Sequence, residues 1–264
     1  MLVQVGEVAV QIDAGRGTLI RLAELGVGAA DLDALLLTHV HSDHVVDAAD
    51  VVMTRWVQGN LHPAGPLPLV LPKGEPERFA QAMLAPYAGD LALRAEHAGH
   101  GELELDLRPF TQSREPREVW RSSGGELVVE AVAVHHEPVP EAVAYRLTTP
   151  DAVVVVSGDT RACQEVEDLA QGADLLVHET CRVRAMAELI EGTPFEAIFS
   201  YHADSVEVGA LAKRAQVSHL MLTHLIPPAN TAAEELAFAT DAREGGYEGE
   251  ISVGRDLMTW SAGA

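Results

Sequence analysis

The chain has 264 residues, 47% of them hydrophobic, with 40 acidic against 18 basic side chains, a formal charge of −22 and two cysteines. Apolar content in the globular range excludes disorder, and no apolar run comes near the ~18 residues a membrane helix needs. Only Lys73 and Lys213 are lysines, and the arginines are scattered apart from a loose group at Arg108, Arg114, Arg117 and Arg121, so composition predicts a solvated acidic surface, repulsion of large polyanions and partners without nucleic acid.

Residues 3–13 alternate as a strand pair turning at Gly6 and lack the basic start, apolar stretch and cleavage site of an export signal. Cys163 and Cys181 read as free thiols, and the expected location is the cytoplasm. A short helix over 18–25 ends at Gly26 and Gly28, and 34–38 is an apolar run of strand length. The cluster His39-Val40-His41-Ser42-Asp43-His44 follows it directly and leads into a helical stretch to about residue 57. The proline-rich segment 59–74 reads as loop or short edge strand, 77–87 as a helix, and 103–107, 127–136, 142–147 and 153–156 as strands. Strand and helix then alternate, with helices over 161–170, 182–190, 205–215 and 232–243 and strands over 175–178, 219–223 and 250–260. A strand-rich first half and an alternating second half predict an α/β protein, two sheets covered by helices in a four-layer αββα sandwich, as one domain over 1–264.

Three histidines and an aspartate within six residues, placed just after a buried strand, carry the most chemistry. Imidazole is the commonest ligand of zinc-like ions, and a turn at a strand end can aim residues two and five apart at one point. One such cluster cannot close two coordination spheres. Further polar residues stand at the ends of later apolar runs: His136, Asp159 within Ser157-Gly158-Asp159-Thr160, and His224 after Leu220-Met221-Leu222-Thr223. His135 and His136 compete for one role, because neighbours on a strand face opposite ways. His136 shares parity with the bulkier Val132 and Val134 and is preferred.

The ordered set HxHxDH, a strand-end histidine, SGDT and LTH resembles the metallo-β-lactamase superfamily over nearly the whole chain. The resemblance implies a two-metal site at one sheet edge, with two zinc ions, or manganese or iron in their place. It implies that His39, His41 and His136 bind one ion, Asp43, His44 and His224 the other, and Asp159 bridges them. Leu176-Val177-His178-Glu179-Thr180 and His202-Ala203-Asp204-Ser205 further resemble the paired motifs of the ribonuclease Z and arylsulfatase-like branch. That branch implies Asp43, Glu179 and His202 as catalytic residues, Glu179 orienting His202 to protonate a leaving oxygen. Singly, His178 and Glu179 could merely end a strand, and His202 could merely precede a helix capped by Asp204 or Ser205.

The family's tRNA-gripping arm would lie between His136 and Asp159, where 137–158 reads as two strands and a turn. The resemblance also implies a glycine-rich strand and loop ahead of residues 2–5, and a homodimer. The expected activity is therefore a dinuclear-metal hydrolase of small phosphodiesters or aryl sulfate or phosphate esters, with a metal-activated water as attacking group. A lactone or β-lactam hydrolase is the alternative, and a non-catalytic metal-binding protein a third reading. Trp56, Phe110 and Trp120 could line a substrate wall or complete a core, and Arg114 and Arg117 could neutralise an anionic substrate or be merely solvated. His62, His97, His100 and His219 have no motif context. Metal analysis of protein purified without added zinc is expected to give about two transition-metal ions per chain; folded, active protein without metal would defeat the assignment.

Overall fold

The computed structural model describes residues 1–59, 61, 64–98 and 101–263; His62 and His100, and part of the segment 59–74, lie outside the described residues. The chain forms two compact units, one over 1–111 with 122–126, the other over 112–121 with 127–264.

In the first unit, β1 (Leu2–Val5) and β2 (Val8–Ile12) form the hairpin expected at Gly6, which takes the left-handed φ of +59° that the tight turn requires. Helix α1 (Thr18–Glu24), strand β3 (Ala34–Leu36), helices α2 (Ser42–Val45) and α3 (Ala48–Gln58), strand β4 (Pro68–Pro72), helices α4 (Glu75–Ala82) and α5 (Ala88–Ala98) and strand β5 (Asp106–Phe110) follow. The sheet order is β1-β2-β3-β4-β5, antiparallel at the hairpin and parallel elsewhere. The proline-rich segment therefore supplies an inner strand, not an edge. Pro68 and Pro72 stand at the two ends of β4, so Leu69, Val70 and Leu71 between them keep their donors for the ladders. A core of Leu22, Leu32, Leu35, Leu37, Val51 and Leu69 closes one face.

The second unit contains β6 (Arg117–Arg121), β7 (Val128–Ala133), β8 (Val143–Thr148), β9 (Val153–Val156), α6 (Gln164–Leu169), β10 (Leu175–Cys181), α7 (Val183–Ile190), α8 (Phe195–Phe199), α9 (Ser205–Arg214), β11 (His219–Ile226), α10 (Ala232–Glu244) and β12 (Glu250–Val253). Its seven-stranded sheet runs β12-β11-β10-β9-β8-β7-β6. β9, β10, β11 and β12 are parallel, and the two antiparallel steps through β8 return β7 to that same direction. The C-terminal ends of β7, β9, β10 and β11 consequently share one edge, the edge at which open α/β sheets place their chemistry. Residues 137–158 hold only turns, β8 and β9, the two strands expected there.

Gly15, just after β2, shows how tightly the loop carrying the histidines is held. A Cβ at that position would lie 2.1 Å from the carbonyl oxygen of Asp43. Ala14 N–H donates to the carbonyl of His44, and Asp47 N–H donates to that of Ala14, so the two loops are laced together. Gly15→Ala is expected to lower unfolding free energy by about 1–3 kcal/mol through overpacking, read as a lower denaturation midpoint with an unchanged slope.

Candidate metal centre and proton donor

In the first unit β2 and β3 run parallel, so Asp13 and the residues after Leu36 emerge at one edge. Asp13 takes a left-handed φ of +56° and turns its carboxylate back over Thr38. Its Oδ1 accepts from Thr38 N–H at 2.7 Å, and its Oδ2 accepts from the Thr38 hydroxyl and from His44 Nδ1, both at 2.8 Å. Burial alone would raise the Asp13 pKa, but His44, His39 and the Thr38 N–H outweigh it and hold the carboxyl below its ordinary value.

An ionised carboxylate has no proton to give, and this sets the ring chemistry around it. The Thr38 hydroxyl spends its single proton on Asp13, so its contact with His39 Nδ1, at 3.0 Å, has the ring as donor. His39 and His44 thus both carry hydrogen on Nδ1 and present the Nε2 lone pair. The His39 ring centroid lies 4.7 Å from that of His41 and 4.1 Å from that of His44, and Asp43 Oδ2 is 3.7 Å from His44 Nε2. Imidazole and carboxylate crowded this closely, two of the rings with fixed tautomers, are a donor set that fits a zinc-class dication.

In the second unit the strand ends gather His136, Asp159, Glu179, His202 and His224. Asp159 Oδ2 lies 3.4 Å from His224 Nε2 and 3.9 Å from His136 Nε2. His136 Nδ1 faces the Tyr201 carbonyl at 3.5 Å, which leaves Nε2 on the Asp159 side. His135 turns the other way, toward Glu165. His224 is the extra residue of a bulge: β10 and β11 pair Glu179 with Thr223 and then Thr180 with Leu225, passing over it. It has a left-handed φ of +47°, a backbone strain for a non-glycine residue that aims its ring along the sheet edge.

Glu179 Oε1 accepts from Thr160 N–H at 2.8 Å and from His202 Nδ1 at 2.9 Å. His202 stacks on His224 with centroids 5.5 Å apart and lies 5.2 Å from His136. Ligand-capable atoms of Asp159, His202 and His224 fall within 4.8 Å of one another. Burial pushes Glu179 up to about 7, against the pull of His202. Neighbouring His178 is buried and lowered to about 4, a neutral ring whose Nδ1 donates to the Glu179 carbonyl.

Asp13, Thr38 and Thr160 were absent from the sequence-derived set. Asp13 had a visible signal, a lone acid closing an apolar strand, but its partners are 25 and 31 residues away. Trp120 is buried, Trp56 and Phe110 are half-buried, and Arg114 and Arg117 are exposed. Both cysteines are free, with burial pushing Cys181 up to about 12. No helix among the described residues is long and apolar enough to cross a membrane.

A fold of two mixed sheets with histidines and aspartates at strand ends defines a metallo-hydrolase class, and the profile of the metallo-β-lactamase superfamily matches residues 1–207. The chain belongs to that superfamily and has its fold. Its relatives fit the ribonuclease Z branch: Ribonuclease Z of Mycobacterium bovis (strain BCG / Pasteur 1173P2) is 35% identical over 260 residues, 97% of this chain and 89% of that protein. Ribonuclease Z of Mycolicibacterium paratuberculosis is 37% identical at the same coverage. Among solved structures, the metallo-β-lactamase fold protein YhfI of Bacillus subtilis superposes with TM-score 0.70 at 23% identity, covering 98% of this chain and 89% of that one. Human tRNase Z, short form, superposes with TM-score 0.66 at 17% identity, over 100% of this chain and 92% of that one.

These relatives overturn the expectation of partners without nucleic acid. Net charge sums over the whole surface, whereas a phosphodiester is held by a few local cations and donors, so a total of −22 does not exclude such a substrate. Asp13→Asn replaces one acceptor oxygen with an amide donor and removes the reason for the fixed tautomers. It is expected to weaken metal binding about 10–100-fold, measured by competition with a chromophoric chelator, while circular dichroism shows the fold retained.

Proposed function

We propose that the chain is a metal-dependent phosphodiesterase that cleaves RNA. The observation that carries the reading is the Glu179–His202 pair, a proton donor with an oriented ring beside Asp159 and His224. Membership of the superfamily and the names of the 35–37% identical relatives support it.

By the same reading His39, His41 and His136 would hold one ion and Asp43, His44 and His224 the other, with Asp159 available to both. Two bound dications would supply Lewis acidity, making a water nucleophilic near neutral pH and offsetting charge on the phosphoryl oxygens. The chain's own residues do the rest. Asp13 and Thr38 keep the Nε2 lone pairs of His39 and His44 turned outward. Glu179 holds His202 by Nδ1, so Nε2 is the atom that passes a proton to the departing alkoxide oxygen. The peptide N–H of Thr160 fixes the same carboxylate oxygen, which keeps the pair aligned in a buried setting. With 137–158 folded into β8, β9 and turns, recognition falls to the residues around the site, which also leaves room for small phosphodiesters and aryl phosphate or sulfate esters as secondary substrates.

The test uses a labelled precursor tRNA with a 3′ trailer, bis(4-nitrophenyl) phosphate and 4-nitrophenyl sulfate. Cleavage of the RNA is expected, lost on chelation and restored by a divalent transition metal. His202→Ala is expected to keep its metal content and to lose about 10²–10⁴-fold in kcat on RNA, whose alkoxide leaving group needs a proton, but far less on bis(4-nitrophenyl) phosphate. Equal losses on both would remove the proton-donor role, and an inert RNA would remove the substrate.

A further inference from the structure

With His136 in its wall, on the side to which His135 turns, the second unit forms an open cavity of about 350 Å³ that no step above uses. Its wall comprises residues 138–140, two prolines about a buried valine, and its polar groups are Arg114, His135, His136, Glu137 and Glu165. The His135 ring is held by Glu165, both carboxylate oxygens lying 3.2 Å from Nε2. Arg114 sits in a loop pinned to the end of β7, where Ala133 N–H donates to the Ser113 carbonyl at 2.7 Å.

The arginines of this stretch divide into two kinds. Arg108 and Arg121 are clamped by Asp106 and Glu118. Arg114 makes no hydrogen bond or ion pair with any described residue, although the chain carries 40 acidic side chains. The two acids of the cavity are engaged elsewhere, Glu165 by His135 and Glu137 by Arg161. An uncommitted guanidinium at the mouth of a cavity is placed to take an anion, bidentately if that anion is a phosphate. The volume exceeds what phosphate alone needs and falls in the range of small-ligand pockets. The proline and valine wall offers an apolar face for a base, and the His135–Glu165 pair offers acceptors and a donor for a base edge or ribose hydroxyl.

We propose that this cavity is a nucleotide subsite: Arg114 binds the phosphate of a residue adjoining the scissile phosphodiester, and that nucleotide's base lies against residues 138–140. The proposal rests on the RNA-cleaving reading above and names where the neighbouring nucleotide is held.

The probe is adenosine 5′-monophosphate, titrated calorimetrically into the full chain, with adenosine and inorganic phosphate as separate arms. The monophosphate is expected to bind more tightly than either fragment. Arg114→Ala is expected to weaken it about tenfold or more, the loss of a charge-assisted pair, and to leave adenosine binding unchanged. Arg117→Ala removes the same charge three residues away and outside the cavity lining, and is expected to change the Kd less than twofold. An unaltered Kd for Arg114→Ala, equal weakening by Arg117→Ala, or no binding by the parent chain would overturn the subsite. Hydrolysis of bis(4-nitrophenyl) phosphate by the parent chain checks the phosphodiesterase reading separately, so either claim can fail while the other stands.

Discussion

An imidazole has two nitrogens and can turn only one of them toward a ligand or a substrate, so four of the histidines here depend on a group that captures the other. Asp13 captures Nδ1 of His44 directly and that of His39 through Thr38; the Tyr201 carbonyl faces Nδ1 of His136; Glu179 captures Nδ1 of His202. In each case Nε2 is the nitrogen left to act. The tautomers are decided by folding, before any metal or substrate arrives, and the cost of ordering the rings is met by packing elsewhere.

Strand direction brings these groups to working distance within each unit. β2 and β3 end together at Asp13 and the Thr38–His39 pair, and β7, β9, β10 and β11 end together at His136, Asp159, Glu179 and His224. A regular β11 would alternate its side chains strictly, and the bulge breaks that alternation at one residue. His224 is that residue, and its left-handed backbone is the local cost of aiming its ring at Asp159 and stacking it on His202.

The charge balance acquires a different meaning at this scale. Most of the acids are surface groups, several spent on arginines, such as Glu118 on Arg121 and Asp106 on Arg108. Asp159 and Glu179 are instead buried and Asp13 half-buried beside histidines, where Asp13 and Glu179 orient rings and Asp159 faces Nε2 of His224 and His136. On the proposed reading, positive charge for a phosphodiester comes from a few positions, Arg114 among them, and from the cations that the histidine set is suited to hold. A total of −22 is compatible with that arrangement because electrostatic recognition at a cleft is local and screened over about 10 Å.

By itself the sequence determined the alternation of strands and helices, the HxHxDH cluster, and the order in which His136, Asp159, Glu179, His202 and His224 follow it, because these depend on residues near one another in the chain. It pointed to His136 over His135 through strand parity alone. Tertiary structure alone decided that β4 is an inner strand, because prolines at both ends leave its middle free to pair on both sides. It also decided that Asp13 governs two histidines and that His224 is bulged, since each arises from how a strand pairs with a distant neighbour. Local propensity carries no information about such partners; they exist only once the sheets have formed.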